Sequence, residues 1–212
     1  MAEAPQSLDE FCAAFPVSRE TRERIAAFDA LFLDWTARLN LVAKSSIPER
    51  WTRHYLDSAQ LLPLFPEAAR RIVDLGSGGG FPALFLGLID PDRARHYVMV
   101  ESIAKKCAFL RAASDELDLA NVTIVNDRIE NRPDLRPADV VRARALADLD
   151  KLLAYARPIS SVRTMCIFMK GERAEEELTA ARRHWTMDVE FHPSRTHDAA
   201  TILKIRNFAR AR

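Results

Sequence analysis

Four of the chain's six glycines fall within one short run, Asp74-Leu75-Gly76-Ser77-Gly78-Gly79-Gly80-Phe81-Pro82. Such density is useful where the backbone must turn through left-handed conformations or let another group approach it closely. The β-rich run 71–75 precedes it and a helical pattern over 82–89 follows, which makes the glycines a strand-to-helix turn. Pro82 suits the first helical turn, where its missing N–H would have gone unused. Further β-rich runs lie at 97–101, 122–126, 138–143, 163–170, 187–192 and 201–208, and helical stretches at about 103–117, 147–157 and 172–184. This alternation predicts an α/β fold: a seven-stranded, mostly parallel sheet with helices on both faces. No helix separates the last two runs, so they predict an antiparallel hairpin at one edge.

Residues 1–65 read as a small helical extension before a main domain at 66–212. Ile25, Phe28, Leu31, Phe32, Trp35 and Leu39 recur at helical spacing and define one apolar face. A second helix is expected from Ser46, where Ser46 and Glu49 fit a capping box, to about Leu62, ended by Pro63 and Pro66. On it Arg50, Arg53, His54 and Asp57 would share a polar face, apart from the apolar stripe Trp51, Tyr55, Ala59 and Leu62.

Composition narrows the setting. Hydrophobic residues make up 48% of the 212, enough for a core, and no apolar run approaches the length of a membrane helix. The start, MAEAPQSLDEFCAAF, lacks the basic and apolar segments of a secretory leader. Cys12, Cys107 and Cys166 are isolated, which suits reduced thiols in a cytosol rather than disulfides or a metal site. The expected setting is therefore cytoplasmic, as a monomer, with no metal and no membrane. Net charge is only +1, so any nucleic-acid partner would require basic residues gathered on one face.

The turn itself discriminates among ligands. A dinucleotide site would read G-x-G-x-x-G, but counting from Gly76 puts Phe81 in the last position, and counting from Gly78 puts Ala83 there. Asp74 would repel a pyrophosphate, yet a carboxylate there can pair with an ammonium group such as that of a methionine moiety. A D-x-G-x-G-x-G turn is the signature of S-adenosylmethionine sites, and Asp74, Gly76, Ser77 and Gly78 are its candidate contacts. The alternative is a tight turn with no ligand. Glu101, at the end of the second β-rich run, can accept both ribose hydroxyls of a nucleoside; otherwise it merely precedes a helix N-terminus.

Other residues bear on the substrate. His54 and Arg53 belong to the polar stripe, which is either a base-contacting group or a solvated face. Lys105 and Lys106 open the helix after Glu101, where a cation gains nothing from the helix dipole, so phosphate contact and surface solubility are both open. Arg142 and Arg144 bracket Ala143 at the end of the fourth run and point to one face; Lys170 ends the fifth run at the same rim. Ligands of open α/β sheets sit along that rim, which favours function for Arg144. No Asn/Asp-Pro-Pro-aromatic loop is present for an exocyclic amine, and neither Cys107 nor Cys166 looks placed to attack a pyrimidine carbon. Guanine N7 already carries a lone pair and no proton, so alignment with a methyl donor would supply most of the catalysis.

Taken in order, the runs 39–43 (LNLVA), 53–58 (RHYLDS), 74–82, 101–110 (ESIAKKCAFL), 128–130 (RIE), 142–145 (RARA) and Lys170-Gly171 resemble the ribosomal RNA small subunit methyltransferase G family, also called glucose-inhibited division protein B. The resemblance implies a Rossmann-like class I methyltransferase fold. It further implies methyl transfer from S-adenosylmethionine to a guanine N7 in bacterial 16S rRNA, as naked RNA or in the small subunit. It implies cofactor contacts from Gly76, Phe81, Ile129, Glu130 and Arg144, with Arg144 near the reacting groups. The basic positions read above, Arg53, His54, Lys105, Lys106 and Lys170, are the expected RNA contacts. The chain departs from the family pattern at Ala83, where Gly is frequent, and at Val141-Arg142, where a small polar residue is expected before Arg-Ala. The competing readings are a methyltransferase of small molecules or proteins, a nicotinamide enzyme, and a cofactor-sensing module without catalysis.

Overall fold

The computed structural model describes residues 4–92 and 94–211; the first three residues of the stretch considered as a leader lie outside it. Seven strands form one sheet in the order β3-β2-β1-β4-β5-β7-β6. They are β1 Arg71–Leu75, β2 His96–Glu101, β3 Val122–Asn126, β4 Ala138–Arg144, β5 Ser160–Lys170, β6 Trp185–Pro193 and β7 Thr201–Arg210. β1 to β5 run parallel, whereas β7 inserts antiparallel between β5 and β6. Each expected strand is present, and β5 begins three residues earlier than its apolar run suggested. The order reverses between β1 and β4, which places a ligand crevice at their carboxyl ends.

Alternation along the strands sorts the core into two layers. Ile72, Tyr97, Met99, Val140 and Ile167 face a layer built from α1 Leu8–Ala14, α2 Arg19–Arg38, α4 Ala83–Ile89 and α5 Ala104–Glu116, with the short α3 Asp57–Ala59 between them. Val73, Leu75, Val98, Val141 and Phe168 face the other layer, α6 Leu149–Ala156 and α7 Ala174–Ala181. The N-terminal helices belong to the first layer. Phe11, Ile25, Phe28 and Phe32 are fully buried in one cluster with Phe85 and Ile72. Ser7 and Ser18 start α1 and α2 by accepting from the N–H groups of Glu10 and Thr21.

The helix expected from Ser46 to Leu62 breaks into pieces. A 3₁₀ turn covers Lys44–Ser46, a π-helical turn covers Trp51–Leu56, α3 follows, and a second 3₁₀ turn covers Leu62–Leu64. Ser46 does not cap; its hydroxyl donates to the Ala43 carbonyl at 2.6 Å. The expected polar face also splits. Arg50 turns back to Asp29, at 2.7 and 2.9 Å, and Tyr55 donates to the same carboxylate at 2.9 Å. His54 and Asp57 face the sheet instead.

Asp74 is where the sequence reading fails. Its side chain lies in the core, 2% exposed, with Oδ1 2.7 Å from Nη2 of the fully buried Arg142. The two residues are register partners on β1 and β4, and both project into the first layer beneath the glycine turn. Paired with Arg142, the carboxylate lies beneath the turn rather than beside it, where the sequence reading put it. Arg142, which inherits no family role, therefore has a structural one. Burial pushes its guanidinium pKa down, and the Asp74 charge opposes that shift. Replacing Asp74 with Ala strands a buried cation and should destabilise the fold by about 3–5 kcal/mol. Asp74→Leu combined with Arg142→Met should recover most of that loss, read as the urea denaturation midpoint of each variant.

Candidate functional site: two clefts joined at Arg144

Two clefts open at the carboxyl ends of β1, β2 and β4. The smaller, about 330 Å³, lies between the glycine turn, Glu101 and the 3₁₀ turn Ile129–Asn131. The larger, about 1000 Å³, lies between the glycine turn, the 53–57 segment and the β6–β7 loop. Gly76, Gly78, Lys106, Arg144 and Ala145 line both.

The glycine turn is fastened to β2. Gly76 and Ser77 donate to the Val100 carbonyl at 2.9 and 3.2 Å, and Gly78 donates to Glu101 Oε2 at 2.9 Å. Gly76 has φ +71°, a left-handed backbone that favours glycine, and a Cβ there would push against the exposed tip of Leu146. Glu101 Oε1 also accepts from Ile103 N at 2.8 Å. Each carboxylate oxygen keeps one lone pair, so Glu101 can still accept two hydroxyls. Ile103 and Leu146, 49% and 40% exposed, are two of the few large apolar side chains left open, and both line this cleft. Apolar walls, a bare glycine turn and a carboxylate with spare lone pairs fit a purine nucleoside. Ile129 and Glu130 line the same wall.

In the larger cleft Arg144 is clamped. Its Nη1 donates to Asp57 Oδ2 at 3.0 Å and to the Arg53 carbonyl at 3.1 Å, and its Nη2 lies 3.2 Å from His54 Nδ1. A guanidinium has only donors, so Nδ1 must accept. The proton of neutral His54 is then on Nε2 and points at Ser46 Oγ, 2.8 Å away. The ring stacks on Phe81, centroids 5.2 Å apart at 27°. Burial, then the Arg144 and Arg53 charges, lower the His54 pKa from 6.5 to about 3. His54 is a neutral holder of Arg144, not a base. Asp57 Oδ1 meanwhile accepts from Thr196 Oγ1 at 2.7 Å and from Gln60 Nε2 at 2.9 Å.

The family model described as rRNA small subunit methyltransferase G matches residues 21–203. The chain belongs to that family. Curated proteins named ribosomal RNA small subunit methyltransferase G are 43% identical in Parvibaculum lavamentivorans, covering 95% of this chain and 91% of that one, and 48% identical in Acidiphilium cryptum, covering 94% and 96%. Among solved structures, an O-methyltransferase from Bacillus cereus in complex with SAH superposes with TM-score 0.58, at 13% identity, covering 94% of this chain and 97% of that one. Aeropyrum pernix fibrillarin with natively bound S-adenosyl-L-methionine gives 0.56 at 17% identity, covering 73% and 75%. These distant likenesses establish the Rossmann-like class I methyltransferase fold.

Of the residues expected at the site, Gly76, Gly78, Glu101, Ile129, Glu130 and Arg144 line the smaller cleft of this methyltransferase G family member, and Ser77, Phe81, Arg53 and His54 line the larger. Phe81 is only 5% exposed and serves as a floor for His54. Lys106 lines both clefts, while Lys105 is exposed one position away. Lys170 is a correction. It is 8% exposed, and its ammonium binds the Ala147 carbonyl and the Glu177 carboxylate, each at 2.6 Å, which leaves no free charge for RNA. Sequence reasoning did not assign Asp57, Ser46 or Thr196; the 87-residue separation of Asp57 and Arg144 hides their contact.

Because the folded His54 pKa lies below the unfolded value, its contribution to stability is complete above pH 6.5 and is lost as pH falls toward 3. Between pH 7 and pH 5 this should cost about 2 kcal/mol of unfolding free energy, read from urea melts at each pH, and His54→Gln should remove that part of the slope.

Proposed function

We propose that this chain methylates N7 of a guanine in bacterial 16S rRNA, using S-adenosylmethionine, with Arg144 holding the base where the two clefts meet. Family membership supports a small-subunit rRNA methyltransferase. The observation that carries the finer reading is that the imidazole at the junction, His54, is held neutral and cannot take a proton. His54 is neutral there, its pKa about 3 and both ring nitrogens engaged. Burial raises the thiol pKa of Cys107 and Cys166, so neither supports attack on a pyrimidine carbon. A junction whose imidazole cannot take a proton suits an acceptor atom that carries none.

Glu101 would take the ribose hydroxyls, Ile129 and Glu130 the adenine, and the backbone at Gly76, Ser77 and Gly78 the methionine end. In the reaction the N7 lone pair forms the N–C bond as the S–C bond breaks with its electrons on sulfur, so one positive charge passes to the base and no proton moves. Arg144 retains Nε–H and one Nη2–H beyond its clamp, two donors for the guanine O6 beside N7. Arg53 and Lys106 line the larger cleft, and with the neighbouring Lys105 they would meet phosphates of the RNA. Duplex RNA hides N7 in a deep, narrow groove, so the base must arrive unpaired or flipped.

Incubation with labelled S-adenosylmethionine and small ribosomal subunits, naked rRNA or total protein tests this. Label should appear in rRNA as 7-methylguanosine after nuclease digestion; label in protein or in another nucleoside would overturn it. Arg144→Ala should lower kcat at saturating cofactor by about 10²–10³-fold.

A further inference from the structure

We infer that Asp57 is the counter-charge that lets Arg144 stand beside a sulfonium. The inference rests on the cofactor reading above and goes beyond it by giving a role to a residue outside the cofactor's own cleft. If one cleft takes the nucleoside and the other the base, the reacting sulfur belongs at their junction. Arg144 lines both clefts there, and Lys106 is the other charged side chain they share. A fixed guanidinium close to a cationic sulfur would weaken cofactor binding, and after transfer it would face a cationic base.

Asp57 removes that cost. Its Oδ2 lies 3.0 Å from Arg144 Nη1, and the two side chains are only 14% and 21% exposed, so water screens their charges weakly. The other oxygen is held by Thr196 Oγ1 and Gln60 Nε2, and Gln60 Oε1 in turn accepts from Arg195 N at 2.8 Å. One carboxylate therefore balances Arg144 and anchors the β6–β7 loop that walls the larger cleft. Asp57 is a positioning residue: it acts through Arg144.

The test uses a pair of ligands that differ by a methyl group and one positive charge on sulfur. S-Adenosylmethionine and S-adenosylhomocysteine are titrated calorimetrically into the full-length protein and its variants. Asp57→Asn leaves the Arg144 cation unbalanced. It should weaken S-adenosylmethionine about five- to tenfold while S-adenosylhomocysteine stays within about twofold. Arg144→Gln leaves the carboxylate unbalanced and should shift the ratio of the two affinities the opposite way; this variant decides the matter if Asp57→Asn fails to fold. The double variant carries neither charge and should return the ratio to within about twofold of wild type. Equal weakening of both ligands in Asp57→Asn, which a merely structural role predicts, overturns the inference, as does an unmoved ratio in wild-type-like binding. Wild-type protein that binds neither ligand would instead remove the cofactor reading, and this inference with it.

Discussion

A guanidinium can only donate hydrogen bonds, and that restriction orders the centre of this molecule. Everything that touches Arg144 must accept: a carboxylate oxygen of Asp57, the Arg53 carbonyl and the bare nitrogen of His54. The last contact fixes the imidazole tautomer, the tautomer aims Nε2–H at Ser46, and the Ser46 hydroxyl then donates to the Ala43 carbonyl. One cation at the end of β4 thus arranges residues 43 to 57, a segment far from it along the chain. The irregular backbone there, with its π-helical turn, is the form that brings His54 and Asp57 to the sheet while Arg50 and Tyr55 turn back to Asp29.

The site has a division of labour between backbone and side chains. Around the smaller cleft the protein offers bare glycine peptide, apolar walls and one carboxylate whose main task is to hold the turn in place. Around the larger cleft it offers side chains that restrain each other. The buried pair Asp74–Arg142 lies beneath both, tying β1 to β4 where the strand order reverses. Charges in this protein are thus used in layers: one pair sealed in the core, one pair at the floor of the site, and Arg53 and Lys106 at its mouth, Arg53 paired with Glu49.

Much of the architecture was legible in the residues. Strands declare themselves by β-rich runs bounded by turns, and the glycine turn with its flanking strand and helix located the crevice before any coordinates. Gly76, Glu101 and Arg144 line the cleft to which their motif and position assign them. What failed, failed for a common reason: a charge's partner cannot be seen when it lies far away along the chain. Asp74 looked free for a ligand because Arg142, 68 positions later, is its register neighbour. Lys170 looked like a rim cation because Glu177 and the Ala147 carbonyl lie across a loop. The 46–62 segment looked like a regular helix because periodicity reports burial, and both regular and broken helices can bury Trp51, Tyr55 and Ala59.

The walls of the larger cleft come from segments far apart in the sequence, residues 41–57 on one side and 196–200 on the other, joined through Asp57 and Thr196. During synthesis the second wall emerges after the glycine turn and all five parallel strands. A chain made only as far as β5 already carries the glycine turn, but the larger cleft gains its second wall only when the β6–β7 loop is made. Closure of that cleft therefore waits on a contact, Thr196 to Asp57, that the glycine turn and the parallel strands cannot make by themselves.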